Sequence, residues 1–187
     1  EIPEFNDPER YSTMQRRTVE IPAAWQEIAE NQVDVAHFRY VHNTDIVPEV
    51  AEYTTDGHMS YLRSTQKFPT PRGVVDGRID VDTHCPGFGV IRFSGIVDTV
   101  LLGCNTPIDA ERCQLRFTFT VRRLGDEAST SAVGAAFVEE VSRQVTERVE
   151  KAVMNTGKYE FVRSYSRPGE SQVIFELKDS SKPAEVA

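Results

Sequence analysis

From residue 113 to residue 123 the chain alternates. Leu115, Phe117, Phe119 and Val121 are apolar, and Arg116, Thr118, Thr120 and Arg122 between them are polar or charged. Successive side chains of a strand point to opposite faces, so the pattern predicts an antiparallel strand with one face buried and the other in water. Such a strand needs neighbours, and the chain supplies them. Segments 50–55, 59–68, 74–85, 89–94 and 98–106 have strand character, and turn residues set each one off. Asp56-Gly57 is a strong hairpin signal, and residues 69–73 break the chain again. Five or six strands of this kind make one sheet.

One long helix follows them. Residues 131–156 carry an apolar stripe at Val133, Ala136, Phe137, Val141, Val145, Val149, Ala152 and Val153, with Glu139, Glu140, Arg143, Glu147 and Glu150 off it. Ser129, Thr130 and Ser131 are candidate caps at its start, and Gly157 closes it. A long helix lying across a curved antiparallel sheet is an α+β architecture of the helix-grip kind, with an apolar cavity between the two. Phe93, Phe117, Phe119 and Phe137 are the candidate lining of that cavity. A second helix is predicted earlier, over residues 23–41, where Pro22 suits a first turn and Trp25, Ile28, Ala29, Val33, Ala36 and Tyr40 keep helical spacing. Residues 172–177 suggest a final strand.

The second half of that early helix is the chemically informative stretch. Asn31-x-x-Asp34-x-x-His37-x4-His42 brings two of the four histidines of the chain beside a carboxylate and an amide. Neutral imidazoles are common transition-metal ligands, and two of them with one carboxylate make the facial triad of non-haem Fe(II) oxygenases. Spacing alone also fits an amphipathic helix whose histidines are ordinary polar residues. On a regular helix His37 and His42 stand about 140° apart, so shared coordination needs the helix to distort or end between them. The turn-forming Asn43 and Thr44 allow an ending there. His58 and His84 lack such company and read as surface or structural residues.

With its Ala-His-Phe-x-Tyr-Val-His run, residues 36–42, this segment resembles the iron-binding segment of Rieske-type ring-hydroxylating and steroid oxygenases, most of all the oxygenase component of 3-ketosteroid 9α-hydroxylases. The resemblance implies a START/SRPBCC-like helix-grip catalytic domain that hydroxylates a small hydrophobic, possibly steroid, substrate with O2. It makes His37 and His42 ligands of a mononuclear Fe(II). Asp34, with Asn31 beside it, becomes the bridge that brings an electron from a neighbouring subunit's 2Fe-2S Rieske cluster. A ferredoxin or flavin reductase and a homotrimer are the implied partners.

The third ligand is not evident. In the family it is an acidic residue on the long C-terminal helix, soon after a Gln-containing turn, and counting from Gln144 puts that position on Arg148. Helical phase also places Arg148 inside the apolar arc, at about 60° from Val133, with Glu147 near 320° and Glu150 near 260°. A guanidinium cannot shed its charge to tolerate Fe²⁺. Glu147 is the leading carboxylate, reached through a one-residue helix irregularity, and Glu160 is another. The alternative is an iron-free helix-grip subunit that binds a hydrophobic ligand or serves a structural role, with Arg148 pairing with Asp34 or with a ligand carboxylate.

Composition bounds the rest. The 187 residues fit one domain, and the division expected is a linker and first strand over 1–20, the catalytic helix-grip domain over 21–177 and a disordered tail over 178–187. A first residue of Glu rather than Met leads to the expectation of an excised domain or processed chain. A net charge of −8 argues against a nucleic-acid surface, and no apolar run is long enough for a membrane helix. Cys85, Cys104 and Cys113 are odd in number and far apart, which suits a reducing cytoplasm. None begins a Cys-x-His or Cys-x-x-His pair, so a Rieske cluster has to lie outside this segment.

Overall fold

The computed structural model describes residues 1–30, 47–70, 73–139, 159–167 and 170–177. Seven strands form one antiparallel sheet: β1 (Gln15–Ile21), β2 (Glu49–Asp56), β3 (Met59–Thr70), β4 (Gly73–Cys85), β5 (Phe88–Ser94), β6 (Thr99–Pro107) and β7 (Cys113–Val121). Their order is β1-β7-β6-β5-β4-β3-β2, a meander with β1 added at the far edge. The sheet is therefore larger than the five or six strands expected. The surplus is β1, whose seven residues pair in full with β7 from Gln15 opposite Phe119 to Ile21 opposite Cys113.

Turn chemistry sets the register. Asp56 pairs with Met59 across a two-residue turn in which Gly57 takes φ +58°, a conformation that costs glycine little. The break expected over residues 69–73 is narrower in the structure, with β3 reaching Thr70 and β4 starting at Gly73. β3 runs on to Thr70 and folds back so that Thr70 pairs with Gly73, making a long hairpin. Register shifts between Val50 and Glu52 and between Thr83 and Cys85 bend the strands locally.

Helix α1 (Trp25–Glu30) is the described part of the helix expected over 23–41. It packs Trp25 and Ile28 against Ile21, Cys113 and Leu115. Helix α2 occupies residues 127–139 within the described chain and begins four residues earlier than expected. Its cap is Asp126, whose Oδ1 accepts the Ser129 N–H at 2.7 Å, so the Ser129 to Ser131 run lies inside the helix. Thr130, Gly134 and Val138 are its buried row, with Val133 and Phe137 half-buried. Ala136, placed in the stripe by spacing, is exposed, because the sheet meets the helix one position round. Gly134 allows the approach, since a Cβ there would lie 2.6 Å from Gln15 Nε2.

Strands β8 (Tyr159–Arg167) and β9 (Glu170–Leu177) pair with each other as a separate two-stranded sheet. β9 was anticipated over 172–177 and β8 was not.

Candidate functional site

Strand parity divides the seven-stranded sheet into two faces. On the inner face Leu62, Ile79 and Val81 form one buried cluster, and Leu101, Phe119 and Val138 form another. Ile91 and Phe93 pack against both. The four phenylalanines singled out in the sequence come together here. Phe137 of α2 meets Phe93 at 5.3 Å and Phe119 at 5.4 Å, both edge to face, and Phe119 lies 6.0 Å from Phe117. Phe119 is 1% exposed, whereas Phe93, Phe117 and Phe137 keep part of their surface open. Edge-to-face aromatics on a pleated wall form an apolar surface with defined shape.

The outer face combines charged residues with the buried Val90 and Val100. Arg92 lies between Ile91 and Phe93 and so points the other way, where its Nε donates to Glu4 Oε1 at 2.7 Å and its Nη1 to Asp82 Oδ2 at 2.8 Å. Arg63 Nη2 stands 2.7 Å from Asp82 Oδ1 as an ion pair off the hydrogen-bonding axis. Burial works against the Glu4 carboxylate, yet the Arg92 hydrogen bond, the local backbone bond and the Arg92 charge together hold its pKa below the ordinary value. The same contact raises Arg92 further above its ordinary range. At the other end of the face Thr120 donates to the Ser12 carbonyl at 2.9 Å, and Tyr11 bridges to Arg122. Residues 4–12 thus strap the outer face from β5 to β7. A polar groove of about 520 Å³ is lined by Gln66 and Gly77 together with Thr65, Lys67, Asp76 and Arg78, and by none of the four phenylalanines.

α1 is docked on the β1–β7 edge and is described as far as Glu30, the residue before the histidine segment in sequence. Asn31, Asp34, His37, His42 and Glu147, together with Arg148, lie outside the described residues. Among the described residues no group of three or more His, Cys, Asp or Glu could hold a metal. His84 packs on Phe88 at 5.3 Å, and His58 is exposed at the β2–β3 turn. Cys113 is fully buried and Cys104 partly so, and burial pushes both thiols up, although Arg116 opposes it at Cys104. For an iron centre the two imidazoles of the sequence are suitable donors by residue type. One inner-face residue escaped the sequence reading. Gln66 is 4% exposed with its Oε1 unpartnered, and its signal is a polar side chain in the inward register of Leu62 and Phe68.

A curved antiparallel sheet gripping a helix defines the helix-grip class, and solved structures agree. A START superfamily protein from Mycobacterium smegmatis superposes with a TM-score of 0.55 at 14% identity, covering 74% of this chain and 97% of that one. NdmA from Pseudomonas putida CBB5, solved as a mutant with theobromine, gives 0.57 at 14% identity, over 81% of this chain and 44% of that one. Dicamba monooxygenase bound to dicamba gives 0.52 at 17% identity, over 77% and 51%. The chain therefore spans about half the length of these two proteins. Among curated proteins none matches it. The family described as 3-Ketosteroid 9alpha-hydroxylase C-terminal domain matches residues 1–154. The chain belongs to that family and is an oxygenase catalytic domain. No described helix is long and apolar enough to cross a membrane.

Proposed function

We propose that this domain binds a small, apolar, polycyclic substrate, a steroid or a compound of similar shape, between the inner face of the sheet and α2 and hydroxylates it with O2. The observation that carries the reading is the Asn31-x-x-Asp34-x-x-His37-x4-His42 segment, leaving a docked α1 within a chain that matches the 9α-hydroxylase family over residues 1–154. His37 and His42 would hold a mononuclear Fe(II), with Glu147 as the third donor. Bound iron with open coordination positions supplies the activation of O2. The side chains of the protein do the rest. Phe93, Phe117 and Phe137, each with part of its surface open, give the substrate an apolar wall. Asp34, with Asn31 beside it, carries the hydrogen-bonded route by which an electron arrives from a 2Fe-2S Rieske cluster outside this segment.

A ferredoxin or flavin reductase upstream, a homotrimer that sets one subunit's cluster beside the next subunit's Asp34, and a cytoplasmic setting complete the proposal. Within the chain, residues 1–20 form the lead-in and first strand, 21–177 the catalytic unit and 178–187 a tail. Asp34→Asn tests the route, since it keeps the shape and is not itself a ligand. The variant is expected to retain fold and iron while oxygenation driven by a Rieske donor collapses. Full coupled turnover in the Asn variant would remove Asp34 from the route. Arg148 favours a second reading, the iron-free ligand-binding or structural subunit, which predicts that iron is not taken up at all.

A further inference from the structure

β1 is an edge strand, and its inward positions are Gln15, Arg17, Val19 and Ile21, set opposite Phe119, Phe117, Leu115 and Cys113. Gln15 lies against Gly134 of α2, and Val19 and Ile21 belong to the cluster under α1. Arg17 brings a charge to the same apolar face. Directly opposed residues of an antiparallel pair share a face with Cβ atoms about 5 Å apart, so the stem of Arg17 stands beside Phe117. Its Nη1 donates to the Arg16 carbonyl at 2.8 Å, and its Nε is buried without an acceptor. A guanidinium N–H taken from water and left unpaired is costly, and native structures fill nearly all such groups.

The other arginines show what is missing. Arg63 and Arg92 meet Asp82, and Arg112 meets Asp109, whereas among the described residues no carboxylate pairs with Arg17. Arg16 and Arg116 also lack one there, but both are exposed in the outward register, where water solvates them. Arg17, Phe117 and Val19 are half-buried. α1 covers the sheet on one side of them, at Ile21 and Leu115, and α2 on the other, at Phe119. Between the two lies a part of the inner face that neither described helix buries, apolar except for one unpaired cation. An inward charge on an edge strand also discourages strand addition, but that role gives no account of a buried N–H without an acceptor.

We propose that Arg17 is an anion-recognition point on the inner face: its guanidinium binds a carboxylate carried by an otherwise apolar ligand whose body lies on Phe117 and the neighbouring aromatic rings. The proposal rests on the reading of the inner face as the substrate site and narrows the substrate to organic acids. Arg17 is a positioning and specificity residue here. It selects an acid over a neutral compound of the same shape, because hydrogen bonds between two charged groups are about twice as strong as neutral ones and the planar fork matches a carboxylate.

Fluorescence titration of the purified chain with pyrenebutyric acid and its primary amide tests this, since the two probes share one shape and differ by one negative charge. The wild-type protein is expected to bind the acid about tenfold more tightly at neutral pH. In Arg17→Gln the preference should vanish, with affinity for the amide and the melting temperature both unchanged. Arg17→Lys, which keeps the charge and loses the fork, should retain part of the preference. Equal affinities for the two probes in the wild type, or a preference that survives in Arg17→Gln, would overturn the role of Arg17 and leave the apolar wall standing. A marked fall in melting temperature in Arg17→Gln would assign the residue to the fold and overturn the proposal too. Binding of neither probe would overturn it together with the substrate-wall reading.

Discussion

The two faces of the same seven strands are held by different forces. Inside, Phe119, Leu101, Ile79 and Val81 are stabilised by burial, which is non-directional and tolerates a ligand as readily as a side chain. Outside, Arg63, Asp82, Arg92 and Glu4 form a line of ion pairs that depends on geometry and charge and clamps the first residues of the chain. The lesson is a division of labour. The outer face holds the strap through ion pairs, and the inner face is mostly apolar, with Ser64, Gln66 and Thr99 among its buried polar members. α1, which leads to the histidines, docks on the inner face and not on the charged one.

The largest break in this comparison should come from Phe119→Ala. That side chain is 1% exposed and joins the sheet to α2 through Phe137, so its loss leaves a cavity that rigid strands cannot close. A destabilisation of about 3–5 kcal/mol is expected in denaturant unfolding, with no dependence on salt. On the outer face Arg92→Ala should cost less, about 1–2 kcal/mol, because the carboxylates it strands, at 16% and 20% exposure, are only partly desolvated. Its effect should shrink as ionic strength rises, and that salt dependence is the sharper test of the contrast.

Smaller still is the effect of pH through Glu4. Its folded-state pKa lies below its ordinary value of 4.5, so the stability it contributes is complete above that value and is lost as pH falls through the depressed folded value. Acid titration should therefore release the N-terminal strap below about pH 4.5, seen as faster amide exchange at Ser12 and in β5. Glu4→Gln should abolish that step while leaving the Phe119 cluster unchanged. An acid transition identical in the two proteins would place its origin elsewhere.

Most of the sheet was legible because alternation and turn residues are local signals: the strand from Cys113, the Asp56-Gly57 hairpin and the helix after Gly125 all follow from neighbours in sequence. β1 was read as strand-like but assigned to a lead-in, because nothing local to residues 15–21 reveals that they will pair with a strand some hundred residues later. The helix start was misplaced because three consecutive capping-competent residues outweighed Asp126, whose carboxylate reaches the Ser129 amide. At the candidate site the phenylalanines could be gathered from parity, and Gln66 shares their face by the same parity, while its unpartnered oxygen is a property of packing. The histidine segment lies outside the described residues, and the role proposed for it rests on residue types and on a family resemblance.

Anaerobic reconstitution with Fe(II), followed by removal of free metal and determination of iron per chain, tests the central claim most directly. The wild-type protein is expected to retain about one iron per chain, with His37→Ala and His42→Ala each abolishing retention while unfolding like the wild type. A wild-type protein that retains no iron, or histidine variants that retain as much as it does, would contradict the oxygenase reading.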